Sequence, residues 1–411
     1  MDRLLPEQRD YYESAFRAAD EAYRNGRVEA TTKARKKHYK NWCSFVAPLG
    51  VDPSLQTTPY NHRIRCLSGF AAVQRASIYG RGKQVKAGTV SGALTAVGQT
   101  IALDHEINPT KRLGSDKFAP KLAEMLVGWG KDDPAVEKKM PVEADVPELL
   151  AEQARTVEST KLAKAIGDCA LIAFYFLLRV GEYTVKRSRN ETKQTKQFKV
   201  EDCTFFKKNA LGQLRQLPRT APDKDVMSAD SATLKLDNSK NGWKGVCVNQ
   251  EANGEPHCCA VRALGRRVCY IRRIGNQKTY LSAYWTEGKR MDVNDEDMRV
   301  NLKWAATSLD YHGRKGIPIG LIDTHSLRIG GANALSLSGY SDREIQKMGR
   351  WRGETFKEYI REQLSNFSEG MTRKMKQKFN FVNVCAGANT DVPVDITSTM
   401  VVTDYDSDES V

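Results

Sequence analysis

Long apolar runs are missing from this 411-residue chain. The longest, residues 170–178, is far too short to cross a bilayer and stops at Arg179, so no membrane span is expected. The start, MDRLLPEQRDYYES, lacks the apolar stretch of a secretory leader, so export is not expected either. Paired cysteines are missing too. The nine cysteines are scattered and odd in number, which suits reduced thiols in a cytosolic or nuclear protein. His257-Cys258-Cys259, with Cys247 and Cys269 nearby, lacks the CxxC pairs of a zinc site; these read as buried or incidental thiols, and no metal is expected. No repeat at a solenoid period is present. Acidic charge is short overall, leaving a net +14, yet it is concentrated at one end. From Asp391 onward there are six acids and no Lys or Arg, so the rest of the chain is more basic than the total. Such a balance implies a polyanionic partner, nucleic acid first.

The length is about twice that of a typical domain, and two domains are expected. Residues 1–135 read as all-helical, with apolar positions at helical spacing near 8–24, 31–47, 60–79, 87–106 and 115–129. In the second segment Tyr39, Trp42, Phe45 and Val46 share one face, and Lys33, Arg35, Lys36, Lys37 and Lys40 lie on the other. Residues 136–147, charged and proline-bearing without apolar periodicity, read as a linker. Residues 148–384 form a second, mixed α+β domain. A helix at 161–178 becomes almost wholly apolar, and short strands at 198–206, 233–236 and 245–248 make one small antiparallel sheet. Helices follow near 258–273, 295–309, 324–338, 342–348, 353–362 and 368–379. The acidic end, 385–411, reads as a disordered tail. The fold class is thus mainly α, with an all-α first domain and an α+β second.

The chemistry concentrates late in the chain. His325 and Arg328, three residues apart, share a helix face. Trp351 follows a Gly-Arg pair, and Tyr359 lies eight residues beyond it. An imidazole, a guanidinium, an indole N–H and a phenol are parts for breaking and remaking a phosphodiester without metal. Attack on phosphorus loads charge onto the non-bridging oxygens, and two Arg forks suit that charge. Arg179 is the candidate for the second fork, because it interrupts a buried apolar helix, with Glu182 placed to pair with it. Tyr359 can form a covalent phosphotyrosine. Lys240, in a polar hairpin turn, can protonate the leaving oxygen, and Lys244 is its rival. Each has a bland alternative: a first solvated residue past a core helix for Arg179, a packing residue of an amphipathic helix for Tyr359, a solvated turn residue for Lys240.

Arg179, Lys240, His325-x-x-Arg328, Trp351 and Tyr359, in that order, resemble the catalytic set of the tyrosine recombinase (phage integrase) superfamily. The strings KNGWKG, IDTHSLRIGGANAL, GYSDREIQKMGRWRG and FKEYIRE look most like recombinases of eukaryotic mobile elements of the Crypton and DIRS type. The resemblance implies a helical core-binding domain and a catalytic domain forming a C-shaped clamp around double-stranded DNA. It implies that Arg179 and Arg328 hold the scissile phosphate, that His325 assists proton transfer from Tyr359, and that Trp351 donates to a phosphate oxygen. Lys240 is then the general acid, Glu182 supports Arg179, and Tyr359 gives a 3′-phosphotyrosine and a free 5′-hydroxyl. It further implies a homotetramer on two DNA sites with exchanged C-terminal helices, no cofactor, no ATP, and a nuclear location if the host is eukaryotic. A type IB topoisomerase uses nearly the same residues, and a recombinase-derived DNA-binding protein without catalysis is the third reading. One departure stands out: the Trp351–Tyr359 step is eight residues where the best-known members have nine, which rotates a helix position by ~100°. Tyr340, in a turn before the Trp, is a conceivable substitute nucleophile.

Contacts to DNA beyond the site are expected from Lys33, Arg35, Lys36, Lys37, Lys40, Arg81, Lys83 and Lys86 in the first domain. Lys186, Arg187, Lys244, Arg350 and Arg352 are expected to join them in the second. Each such cluster also reads as a solvated charged face. Residues 33–37 double as a weak nuclear localisation signal.

Overall fold

Helix-period apolar stripes build the first third of the molecule, as seen in a computed structural model. It describes residues 5–26, 29–80, 82–135, 137–185, 197–236 and 245–358. The chain divides into one unit, Met1–Ile360, and a second, Arg361–Val411, which lies outside the described residues. The expected helix at 368–379 and acidic tail therefore fall outside them.

Five helices come first: α1 (Pro6–Asn25), α2 (Glu29–Val46), α3 (Tyr60–Arg75), α4 (Ala87–His105) and α5 (Pro120–Asp132). The last starts later than its periodicity suggests, because Pro120 fits the first helical position, where its missing N–H costs nothing. Trp42, Leu67, Phe70, Val90, Leu94, Val97, Ile101 and Leu122 form a core of their own. Trp42 meets Phe70 edge-on at 5.3 Å, and its indole N–H donates to the Pro53 carbonyl at 2.8 Å. The Asp133 carboxylate receives the Ala87 N–H at the start of α4 and pairs with Arg75 of α3, which ties three helices at one end.

A second core spans residues 142–327. The far end of the expected linker belongs to it: Val142 is buried, its N–H donates to the Ser326 carbonyl at 3.3 Å, and the Glu143 N–H donates to the Tyr311 hydroxyl at 2.9 Å. A helix follows directly, α6 (Asp145–Gln153), and then the central helix α7 (Lys161–Tyr175), capped by the Thr160 hydroxyl. Residues 165–174 of α7 are buried in unbroken succession, so it is a core helix rather than an amphipathic one. The short α8 (Val180–Tyr183) comes next.

The antiparallel sheet has the order β2-β1-β3-β4, from β1 (Cys203–Lys208), β2 (Leu214–Gln216), β3 (Ser231–Lys235) and β4 (Cys247–Glu251), with α9 (Asp223–Met227) between β2 and β3. After α10 (Ala260–Ile274), a separate hairpin joins β5 (Ala283–Thr286) to β6 (Lys289–Asp292). Its two turn residues, Glu287 and Gly288, both have positive φ, the geometry that matches strand twist in a two-residue hairpin. Then come α11 (Asp295–Ser308), α12 (Tyr311–Lys315), α13 (His325–Leu337), α14 (Asp342–Gly349) and a 3-10 turn, Glu354–Glu358. The second core packs α7 against α6, α10 and α13, which brings the C-terminal end of α7 beside the start of α13. Among the described residues no helix is long and apolar enough to cross a membrane, and no group of His, Cys, Asp and Glu is arranged to hold a metal.

Candidate active site

The site is built on the way α7 ends. Past Tyr175 the Leu178 N–H reaches back to the Ala173 carbonyl at 2.9 Å and the Leu177 N–H to the Phe174 carbonyl at 3.3 Å. This is a Schellman ending, which needs a left-handed residue after the cap. That residue is Leu177, at φ +49°, where glycine is usual and a side chain costs about 1–2 kcal/mol. Helix α14 ends in the same way. The Trp351 N–H bonds the Gln346 carbonyl at 3.0 Å, the Arg350 N–H bonds the Lys347 carbonyl at 3.1 Å, and Arg350 sits at φ +58°. Two strained, non-glycine turns thus meet at one place, the kind of clustering found at functional sites.

They meet through guanidiniums. The Leu177 carbonyl accepts from Arg328 Nη1 and, at 3.0 Å, from Arg350 Nη2. Arg328 Nη2 donates to the Gly349 carbonyl. Arg328 is only 1% exposed, and the Trp351 ring lies against it, 4.3 Å from guanidinium to ring centroid. Such a desolvated cation–π contact contributes up to ~2 kcal/mol. The two carbonyls use two of the five N–H donors of Arg328. Close approach here depends on missing side chains. A Cβ on Gly349 would run into the Trp351 ring, and one on Gly331 into the Phe174 carbonyl and the Leu177 side chain. The Phe356 ring packs tilted against Trp351, with centroids 5.8 Å apart.

Glu182 organises the remaining charges. Its carboxylate is fully buried. Oε2 accepts the Arg179 backbone N–H at 2.9 Å, which caps α8, and Arg350 Nη2 at 2.9 Å. Oε1 lies 3.4 Å from Arg179 Nη1, a long contact, and the Arg179 side chain is 20% exposed. The expectation that Glu182 supports Arg179 therefore has a partner that sequence reasoning missed. Arg350 was expected at a DNA-facing surface, but its left-handed backbone turns the side chain inward and leaves it 2% exposed. Burial pushes its acidity up, and so does the charge of Arg179, while Glu182 opposes both. Removing one member of a buried pair of this kind costs ~3–5 kcal/mol.

His325 opens α13. The preceding Asp323 accepts the Thr324 N–H at 2.7 Å and lies 3.4 Å from Arg299 Nε, which holds its carboxyl below the usual range despite burial. Tyr183 of α8 donates to the Thr324 carbonyl at 3.5 Å, joining α8 to the start of α13. His325 itself is half-buried. Burial first, then the Arg328 guanidinium, and then Arg179 push its pKa below 6.5, and Asp323 only partly offsets them. At neutral pH the imidazole is uncharged and able to accept a proton. The dependence of His325 on both Arg179 and Arg328 brings these residues, expected from the sequence to act together, into one electrostatic neighbourhood.

Lys240, Lys244 and Tyr359 lie outside the described residues, as do Arg81, Lys186 and Arg187. The remaining expected DNA contacts divide. Lys33, Lys36, Lys37, Lys40, Lys83 and Arg352 are exposed. Lys86 is exposed too, though it donates to the Pro134 carbonyl at 2.9 Å, whereas Arg35 is half-buried and donates to the Gln99 side chain of α4. Tyr340 is exposed in its turn. The missed members of the site had faint signals: a Gly-Arg pair directly after a helix for Gly349 and Arg350, and an acid two residues before a motif histidine for Asp323.

No protein-family model matches the chain, and no curated protein matches it. Among solved structures, the chain is similar to the integrase of transposon Tn1549 in complex with the transposon's right-end DNA (10% identity, TM-score 0.39, 76% of this chain and 85% of that one). It is also similar to XerA recombinase (13%, 0.34, 88% and 96%). A third is the XerH site-specific recombinase bound to a palindromic difH substrate in a post-cleavage complex (12%, 0.44, 76% and 70%).

Proposed function

We propose that this protein is a site-specific DNA recombinase or transposase of the tyrosine recombinase type, acting on double-stranded DNA without metal or ATP. One observation carries the reading. Two guanidiniums, Arg179 and Arg350, share one buried carboxylate, Glu182, while a third, Arg328, meets Arg350 on the Leu177 carbonyl and, with burial and Arg179, lowers the pKa of His325. A buried site with this surplus of positive charge is suited to a phosphate whose charge rises on attack.

In the proposed reaction the Tyr359 phenol attacks the scissile phosphorus and passes its proton toward His325. The P–O5′ bond breaks, and the 5′-oxygen takes a proton from Lys240. The 3′-phosphotyrosine so formed is then attacked by the 5′-hydroxyl of a partner strand, which returns the phenol and conserves the bond. Arg179 and Arg328 hold the phosphate, and Trp351 keeps Arg328 in place from its ring face. The clamp of two domains, the tetramer with exchanged C-terminal helices, a Crypton- or DIRS-type element and a nuclear location complete the proposal; the motif strings support the element type.

The test is covalent capture. A duplex library randomised around a nick should yield a protein–DNA adduct on a denaturing gel with the wild-type chain, and Tyr359→Phe should abolish it while duplex binding persists. Adducts in Tyr359→Phe would rule out this nucleophile. Binding without any adduct in the wild type would leave a DNA-binding protein, and relaxation without strand exchange between two marked duplexes would leave a topoisomerase.

A further inference from the structure

We infer that Arg350 is a positioning residue that neutralises Glu182 and thereby leaves the Arg179 guanidinium available to a phosphate. This rests on the proposed function and adds a residue to it. Glu182 divides its contacts unequally. Oε2 serves Arg350 at 2.9 Å and the Arg179 backbone at 2.9 Å, whereas Oε1 holds the Arg179 side chain only at 3.4 Å. A fully buried carboxylate must be paired, and the pair it has is Arg350, itself 2% exposed. Without Arg350 the only other described guanidinium on Glu182 is that of Arg179. The carboxylate would then draw Arg179 into a tight fork and away from solvent, where a DNA phosphate has to be met.

Two further observations separate this role from simple stabilisation. The buried Nε of Arg350 has no partner among the described residues, so the side chain is not placed for the best hydrogen bonding. The residue also occupies a left-handed backbone position that a side chain adopts only at a cost. Both costs are accepted to bring a positive charge onto Glu182 from behind, through a turn that also carries Trp351.

The experiment is a charge-rescue cycle on the full chain. Arg350→Met should lower the rate of adduct formation on the nicked duplex at least tenfold under single-turnover conditions, with duplex binding retained. Arg350→Met combined with Glu182→Gln should recover a substantial part of that loss, because the uncharged amide no longer captures Arg179. A residue needed only for packing gives the opposite pattern, with the double variant no faster than Arg350→Met, and that result overturns the inference. If Arg350→Met does not fold, Arg350→Lys and Arg350→Gln replace it: the charged variant should keep most of the rate and the neutral one lose it, and equal rates overturn the inference. The salt dependence of duplex affinity gives a readout independent of cleavage. The slope of log K against log[salt] should fall by ~0.9 in Arg350→Met, because Arg179 no longer neutralises a phosphate, and return in the double variant. A wild type that makes no adduct defeats the proposed function, while the slope still decides the role of Arg350; an unchanged slope in Arg350→Met then overturns it.

Discussion

His325 shows how a single residue reports on its site. Its pKa lies below 6.5 because burial and two guanidiniums disfavour the imidazolium. Between that lowered value and 6.5 the unfolded chain holds more protons than the folded one, so stability rises with pH across this window and is lost as pH falls through it. The midpoint of thermal unfolding should therefore drop on acidification from neutral pH toward the lowered value. His325→Gln should flatten the upper part of that drop, and an unchanged acid limb in the variant would mean that the imidazole does not feel Arg328 and Arg179 as the geometry requires. Adduct formation should fall at lower pH still, as pH drops through the lowered value itself, since a protonated His325 has no lone pair to offer the phenol. The placement of Arg350 has a different origin, its backbone. Either arginine flanking Trp351 reads as a surface charge, and the positive φ of Arg350 turns that one inward while Arg352 stays exposed.

Helix endings, more than helices, make the site. The apolar periodicity of α2, α3, α4 and α10 is regular enough to be read directly, and the run in α7 announces its burial. What periodicity does not carry is the three-residue β2, whose side chains are all exposed, and the hairpin 283–292, which depends on Glu287 taking a positive φ before Gly288. The helix α6 was hidden in a charged, proline-bearing stretch because its core contacts, through Val146 and Leu150, are supplied by partners distant in sequence. Of the candidate site, Arg179, Glu182, His325, Arg328 and Trp351 stand out in the sequence as types at spacings, whereas the Leu177 carbonyl that accepts from two arginines does not, since backbone carries no sequence signature. The α14 ending can be tested alone. Gly349→Ala should destabilise the protein by ~1–3 kcal/mol, since its Cβ would collide with the Trp351 ring, and should slow adduct formation with it. Gly353→Ala, where a Cβ meets nothing within 4 Å, should leave both little changed. Equal unfolding midpoints for the two variants would contradict the close approach of Trp351 to Gly349.

Charge is the property of the molecule as a whole. With a net +14 and exposed Lys33, Lys36, Lys37 and Lys40 along one helix, duplex affinity should fall steeply with salt. Replacing these four lysines by Gln should lower the slope of log K against log[salt] by up to ~0.9 for each that meets a phosphate, with little change in the unfolding midpoint. A slope unaffected by the four changes would make α2 a solvated face and move the DNA path elsewhere. A last consequence follows from the Leu177 carbonyl, on which Arg328 and Arg350 both converge. During synthesis the end of α7 and the Arg179–Glu182 turn leave the ribosome long before Gly349 and Arg350 are added. Until then Glu182 lacks its buried counter-charge and Arg328 lacks one of its two carbonyls. The buried charge cluster is therefore completed late in synthesis, when the segment carrying Gly349 and Arg350 closes over the end of α7.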